Sequence, residues 1–235
     1  MQKSPSSGPP LQKTLMRRSV AAAATAATDR MPCGDLLFKS RLRHPIPNTM
    51  AWDTRSHCSL HPMRTLLDRE IYERFTQKHL VNATRLVWIA TANIKMAGVH
   101  YQGRFITIVD LMAALLNKGV SFRIIHSEIP SKPFRERYEQ LDTKGRLSAG
   151  IEFLHCIRMH SKIYLVDGTV ALVGSPNLTG AGIGAKSVVN RNFEVGFLFE
   201  GEEETRPFMD CFDFIWMGGH CPSCGRRDIC PAPPT

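Results

Sequence analysis

His160, Lys162, Ser175 and Asn177 form the densest set of chemically able side chains in this 235-residue chain. His160 and Lys162 lie two apart, and side chains two apart on a strand share a face. Ile163 to Val166 is wholly apolar or aromatic, as a strand buried on both faces would be. Asp167-Gly168 is a tight-turn pair. A second apolar run, Val170 to Val173, then delivers Gly174-Ser175 and Asn177. A hairpin of this kind brings an imidazole, a fixed cation, a hydroxyl and an amide to one end of a sheet. A neutral imidazole is a competent nucleophile near neutral pH. A lysine and an amide can stabilise the charged oxygens of a phosphodiester as it is displaced.

The rest of the chain must hold that hairpin in place. Leu66, Leu67, Ile71, Phe75 and Leu80 recur at roughly helical spacing, which predicts an amphipathic helix over 64–80. Thr84 to Asn93 reads as a buried strand ending in small polar residues, where open α/β sheets place ligands. Tyr101 to Arg104 reads as a loop and Phe105 to Lys118 as a helix closed by Gly119. Val120 to His126 is a strand, Ser131 to Asp142 a polar helix, and Ile151 to Ile157 a strand running into His160. After the hairpin, 178–191 is a Gly- and Asn-rich loop and Asn192 to Glu200 a last strand. The acidic run 201–204 favours a helix N-terminus, and Thr205 to Met217 is the final helix. Strands alternating with helices, then a run of strands, predict a three-layer α/β/α sandwich with a mixed sheet.

The spacing His160-x-Lys162-x4-Asp167-x6-Gly174-Ser175-x-Asn177 resembles the HKD motif of the phospholipase D superfamily at every fixed position. The resemblance covers roughly residues 64–217. It implies the phospholipase D-like fold and a metal-independent phosphodiesterase, with no cofactor for catalysis. His160 would attack phosphorus to form a phosphohistidine. Lys162 would clamp the phosphate, and Ser175 and Asn177 would act as oxyanion and orientation donors. Asp167 belongs to the same motif, although the hairpin turn already accounts for it. Glu194 stands on an otherwise apolar strand, where a charge needs a reason. It is the candidate acceptor for the second ring nitrogen of His160, as a downstream Glu is in the superfamily. Asn93 is a further candidate for the pocket.

No second HKD-like stretch exists; His100, His126 and His155 lack the downstream Lys and Asp. The reaction wants two histidines, and superfamily members with one copy are homodimers with the site across the two-fold. The resemblance therefore implies a homodimer, and the small single-copy endonucleases imply a nucleic acid substrate. Arg104, Lys186 and Arg191 would extend a basic groove beside the motif. A phospholipase or phosphatidyl transferase acting on phospholipid head groups is the alternative, and a non-catalytic nucleic-acid-binding module is another.

Charge alone does not decide the substrate. The formal net charge is +9, but residues 1–62 hold nine Lys/Arg against three Asp/Glu, leaving +3 for the remainder. Residues 1–62 are rich in Ser, Pro, Ala and Thr without a hydrophobic period, and read as a disordered or over-extended N-terminal segment, with Met63 as an internal start. Met16-Arg17-Arg18 before the Ala run is a weak export signal. No apolar run reaches the ~18–20 residues of a membrane span, and seven cysteines without a convincing signal peptide point to the cytoplasm. Residues 63–217 are expected to form the catalytic domain and 218–235 a Cys-rich tail. There His220, Cys221, Cys224 and Cys230 form a knuckle suited to a structural zinc, or to an iron–sulfur cluster. Cys211 is an alternative fourth ligand to His220.

Overall fold

The computed structural model describes residues 63–233. The expectations for 1–62, including the internal start and the export signal, lie outside the described residues.

Among the described residues, nine strands and three α-helices follow in chain order. They are β1 (Arg64–Leu67), β2 (Leu86–Thr91), β3 (Gly98–Tyr101), β4 (Arg104–Thr107), α1 (Ile108–Leu116), β5 (Ser121–His126), α2 (Lys132–Leu141), β6 (Ile151–His155), β7 (Ile163–Val166), β8 (Val170–Gly174), β9 (Val195–Glu200) and α3 (Glu202–Trp216). Seven strands make one sheet in the order β1-β9-β8-β7-β2-β5-β6. β2, β5 and β6 run parallel, and every other pairing in that sheet is antiparallel. The remaining two, β3 and β4, form a separate hairpin.

The sheet is buried on both faces because its strands carry apolar side chains on both sides. One face packs Val87, Ile89, Phe122, Tyr164 and Leu172 against Phe75, Leu111, Leu115 and Phe134 from α1, α2 and the turn at 71–76. The other packs Ala90, Ile125, Leu165 and Ala171 against Phe212 of α3. Phe212 stacks on Trp88 with ring centroids 5.1 Å apart. Its full burial contributes on the order of 2–3 kcal/mol. This is the expected α/β/α sandwich with a mixed sheet.

Four local expectations are corrected. The helix expected over 64–80 is strand β1 followed by a π-helical turn, Ile71–Thr76, and a short 3₁₀ turn, Leu80–Asn82. Of Leu66 and Leu67 only Leu66 is buried, which is strand alternation, and Asp68 at φ +46° stops any helix from starting there. The loop expected at Tyr101 to Arg104 is the tip of the β3–β4 hairpin. Gln102 and Gly103 both have positive φ, as a type I′ turn requires. Helix α1 consequently begins three residues later than expected, at a capping box in which the Thr107 hydroxyl accepts from the Asp110 amide at 3.1 Å. Conversely, α3 begins earlier than expected and takes Glu202, Glu203 and Glu204 into its first turn.

Candidate active site

The sheet topology brings seven chain segments to one edge. β2, β5 and β6 end there, as do β8 and β1, while β7 and β9 begin there. His160 and Lys162 stand just before β7, and Ser175 and Asn177 just after β8. Glu194 immediately precedes β9. Five of the six motif-related candidates thus meet at this edge.

His160 is exposed, whereas Lys162 and Glu194 are buried. Lys162 Nζ donates to the His160 carbonyl at 2.6 Å and lies 3.5 Å from His160 Nδ1. A buried ammonium is held by such partners. It has three N–H donors, so capacity remains for an incoming anion. Among the described residues, His160 Nε2 makes no hydrogen bond.

Gly174 permits the approach of the two halves of the site. A Cβ there would fall 2.2 Å from the Val195 carbonyl oxygen. Without one, the Ser175 amide donates to that oxygen at 2.9 Å, and the Val195 amide donates to Ser175 Oγ at 3.0 Å. The Ser175 hydroxyl donates to Glu194 Oε2. Asn192 Nδ2 donates to Glu194 Oε1 at 2.9 Å, and the Glu194 amide donates to Asp68 Oδ1 at 2.7 Å. Both Glu194 oxygens are therefore engaged by Ser175 and Asn192. Within one chain Glu194 does not hold the second ring nitrogen of His160; it orients Ser175 instead.

Asn177 is fixed from the other side. Its Oδ1 accepts from Thr91 Oγ1 at 3.1 Å and from the Asn93 amide at 3.2 Å. This leaves its side-chain amide as a donor. Asn93 joins the edge as expected, and its Nδ2 donates to Glu128 Oε2 at 2.6 Å. Beneath these groups the Tyr164 hydroxyl donates to the Pro176 carbonyl at 3.0 Å. Burial, with the Glu194 carboxylate nearby, pushes this phenol far above its usual range and keeps it a donor.

Asp167 is not part of the cluster. It sits at the opposite end of β7, at φ +56°, in the turn to β8. Its carboxylate accepts from the amides of Thr84, Arg85 and Leu86 and from the Thr84 hydroxyl. Burial alone would raise its pKa, but these donors outweigh burial and hold it below the ordinary carboxylate range. Its place is structural, joining the β7–β8 turn to the entry of β2.

Asp68, Thr91, Glu128 and Asn192 were not legible as site residues. They contribute through side-chain hydrogen bonds, those of Asp68, Thr91 and Glu128 between segments far apart in sequence.

The C-terminal cysteines do not gather. Among the described residues, no three His, Cys, Asp or Glu side chains converge as a metal ion needs. The His220 ring lies edge-on to Phe214, with centroids 4.8 Å apart. Cys224 is turned toward Arg158, and the Arg226 amide and that guanidinium lower its thiol pKa. As placed, His220, Cys221, Cys224 and Cys230 do not form such a group.

Among the described residues, no helix is long and apolar enough to cross a membrane. A family model described as "Cardiolipin synthase, PLD-like domain" matches residues 76–216. No curated protein matches the chain. Among solved structures, the chain is similar to the phospholipase D family member Nuc from Salmonella typhimurium. There the identity is 16% and the TM-score 0.44, over 66% of this chain and 93% of that one. It is also similar to NucT from Helicobacter pylori, with 15% identity and a TM-score of 0.43 over 65% and 94% of the two chains. TrmBL2, an archaeal chromatin protein, has 11% identity and a TM-score of 0.44 over 70% and 55%.

Proposed function

Because the chain belongs to the phospholipase D-like domain family, we propose that it is a metal-independent phosphodiesterase acting through a phosphohistidine, and that its substrate is nucleic acid. The observation that carries this is the juxtaposition of exposed His160 with the buried Lys162 ammonium, 3.5 Å from Nδ1. In the first step a His160 ring nitrogen attacks phosphorus, forming a P–N bond as the bond to the leaving oxygen breaks. A second, protonated imidazole delivers its proton to that oxygen. In the second step water gives its proton back to the same imidazole and attacks phosphorus, and the P–N bond breaks. Lys162 and the Asn177 amide stabilise the oxygens of the transferred phosphoryl group, while Ser175, whose one hydroxyl proton goes to Glu194, braces the edge beside them.

The second imidazole is His160 of a second copy. Support for a two-fold assembly comes from apolar side chains beside the site. Phe193, next to Glu194, is 97% exposed, and Val188, Val189 and the paired Leu67 and Val195 are also exposed. Size-exclusion chromatography with light scattering is expected to give a dimer, and Phe193→Asp is expected to give an inactive monomer. An active monomer would refute the arrangement.

Charge supports nucleic acid. Neither Ile94 to Val109 nor Pro176 to Phe193 contains an Asp or Glu, and these segments carry Lys95, Arg104, Lys186 and Arg191. A polyanion is the matching substrate. Hydrolysis of phospholipid head groups is the second reading, favoured by the same apolar residues around Phe193. DNA, RNA and phosphatidylcholine assayed with EDTA separate the readings. Cleavage of DNA or RNA that survives EDTA and disappears in His160→Ala is the expected result. Turnover of lipid alone would replace the substrate, and no turnover of any of the three would leave a binding module.

A further inference from the structure

The β3–β4 hairpin presents an aromatic ring in an unusual setting. Phe105 is 63% exposed. Yet the ring is not loose, because its rim rests on Gly98 of the facing strand. A Cβ at Gly98 would fall 2.1 Å from Phe105 Cζ and 2.4 Å from Cε1. The His100 ring, directly opposite in register, sits 5.0 Å away at 58°. The glycine thus makes the seat that holds an exposed ring in one place, a cross-strand aromatic–glycine arrangement.

Three further features surround that ring. Beside it opens a cavity of about 550 Å³, lined by Met96, Gly98, Phe105, Thr107, Asp110 and Arg137. Its walls are apolar at Met96 and Phe105 and polar at the far side, where Arg137 Nε donates to Asp110 Oδ1 at 3.1 Å. Lys95, His100 and Arg104 are exposed along the hairpin and its approach, without a nearby acid in sequence. The hairpin is also tied to the candidate active site. Asn93 bonds Asn177, the Lys95 amide donates to the Leu178 carbonyl at 2.9 Å, and Gly98 follows Asn93 by five residues. Five residues span at most about 17 Å.

We infer that this hairpin is a stacking platform for an unpaired nucleobase of the substrate strand, so that the substrate class is single-stranded nucleic acid. The assignment rests on the nuclease reading above and narrows it. A base on Phe105 places its π-face on the seated ring and its edge toward the polar side of the cavity. The phosphates on either side meet Lys95 and Arg104. Aromatic rings with interleaved cations are how proteins hold single strands without sequence preference. In a duplex the bases are already stacked and paired, so the ring has no face to bind. A lipid surface would be met by clustered aliphatic side chains, whereas Phe105 is flanked by His100 and Arg104.

The test is fluorescence anisotropy with the full chain carrying His160→Ala, so that binding is read without cleavage. The probes are a labelled single-stranded DNA, its RNA counterpart, the matching duplex, and vesicles of phosphatidylcholine with phosphatidylglycerol. In that background Phe105→Ala and Phe105→Leu are expected to weaken single-strand binding by roughly 5- to 150-fold, the range of one lost stacking contact. Phe105→Tyr is expected to retain binding. Gly98→Val, which unseats the ring, is expected to resemble Phe105→Ala. Duplex binding should be weaker at the start and indifferent to all four changes. Circular dichroism melts show that each variant is folded.

The inference is overturned if Phe105→Ala and Phe105→Leu leave single-strand binding unchanged, if duplex and single strand weaken together, or if only vesicle binding depends on Phe105. The two readings fail separately. Phe105-dependent single-strand binding without EDTA-resistant cleavage by the wild type would sink the nuclease and keep the platform. Cleavage without Phe105-dependent binding would do the reverse.

Discussion

The two ends of the β7–β8 hairpin contain residues of one motif and treat them in opposite ways. At the turn end, the Asp167 carboxylate is saturated by three amides and a hydroxyl. At the open end, among the described residues, His160 Nε2 has no hydrogen-bond partner and the Lys162 ammonium bonds only to His160. A saturated group can do no chemistry but locks two segments together. A group with free donors or a free lone pair adds little to stability and is available to a substrate. Residues at fixed spacing therefore need not share a role; Asp167 sets the hairpin that carries His160 and Lys162 to its open end.

His160→Ala is the largest test of this division. Turnover should fall by on the order of 10³-fold or more, with an unchanged melting temperature, because an exposed ring is lost from the open end. A melt lowered by several degrees would show that His160 also holds the fold. The measurement is single-turnover cleavage alongside a thermal melt.

A second test asks whether every histidine at the open end is chemical. His126 ends β5 at the same edge but is buried, and its ring stacks on His155 at 5.0 Å. Burial chiefly, with His155 adding and the Glu128 carbonyl opposing, pushes its pKa down to about 4. The unfolded chain binds a proton near pH 6.5, which the folded chain does not accept until about pH 4. Stability contributed by neutral His126 is therefore full above pH 6.5 and is lost as pH falls toward 4, by about 3 kcal/mol. Denaturant midpoints at pH 7.5 and 4.5 should show this loss in the wild type and a smaller one in His126→Leu. An equal loss in both would remove His126 from the folding group.

Much of this was legible in the sequence for a physical reason. The hairpin, the mixed sheet and the open-end residues follow from short continuous apolar runs, a turn pair and the motif spacing, which are local signals. Glu194 was legible as a buried charge in need of a partner, but not that Ser175 and Asn192 engage it. The Ser175 contact comes from β8 and β9 approaching over Gly174, which is a long-range fact, and the Asn192 contact is a local one, two residues away. The 64–80 segment misled because Leu66, Ile71 and Phe75 fit a helical period while belonging to a strand and a separate turn. Cys221 and Cys224 show how far a spacing signal reaches. Their spacing suits a metal, but among the described residues no third His, Cys, Asp or Glu joins them.

The smallest expected effect comes from the saturated end. Asp167→Ala leaves the amides of Thr84, Arg85 and Leu86 without their acceptor and puts a Cβ-bearing residue that lacks a local hydrogen bond at φ +56°. A cost of about 2 kcal/mol follows, because the site is half-exposed and water replaces part of what is lost. For a domain of this size that is a fall of roughly 4–8 °C in melting temperature. Asp167→Asn keeps an oxygen and tolerates the left-handed conformation, so it should lose less. The two proteins should also diverge with pH. The native pKa of Asp167 is lowered, so its charge stabilises the fold above the unfolded value near pH 4, and that contribution disappears as pH falls through the native value. The gap between wild type and Asp167→Asn should therefore be constant from pH 5 to 7 and close below pH 4. Turnover per folded molecule should remain in both variants. A selective loss of turnover in Asp167→Asn, at full stability, would instead move Asp167 from the fold into the reaction.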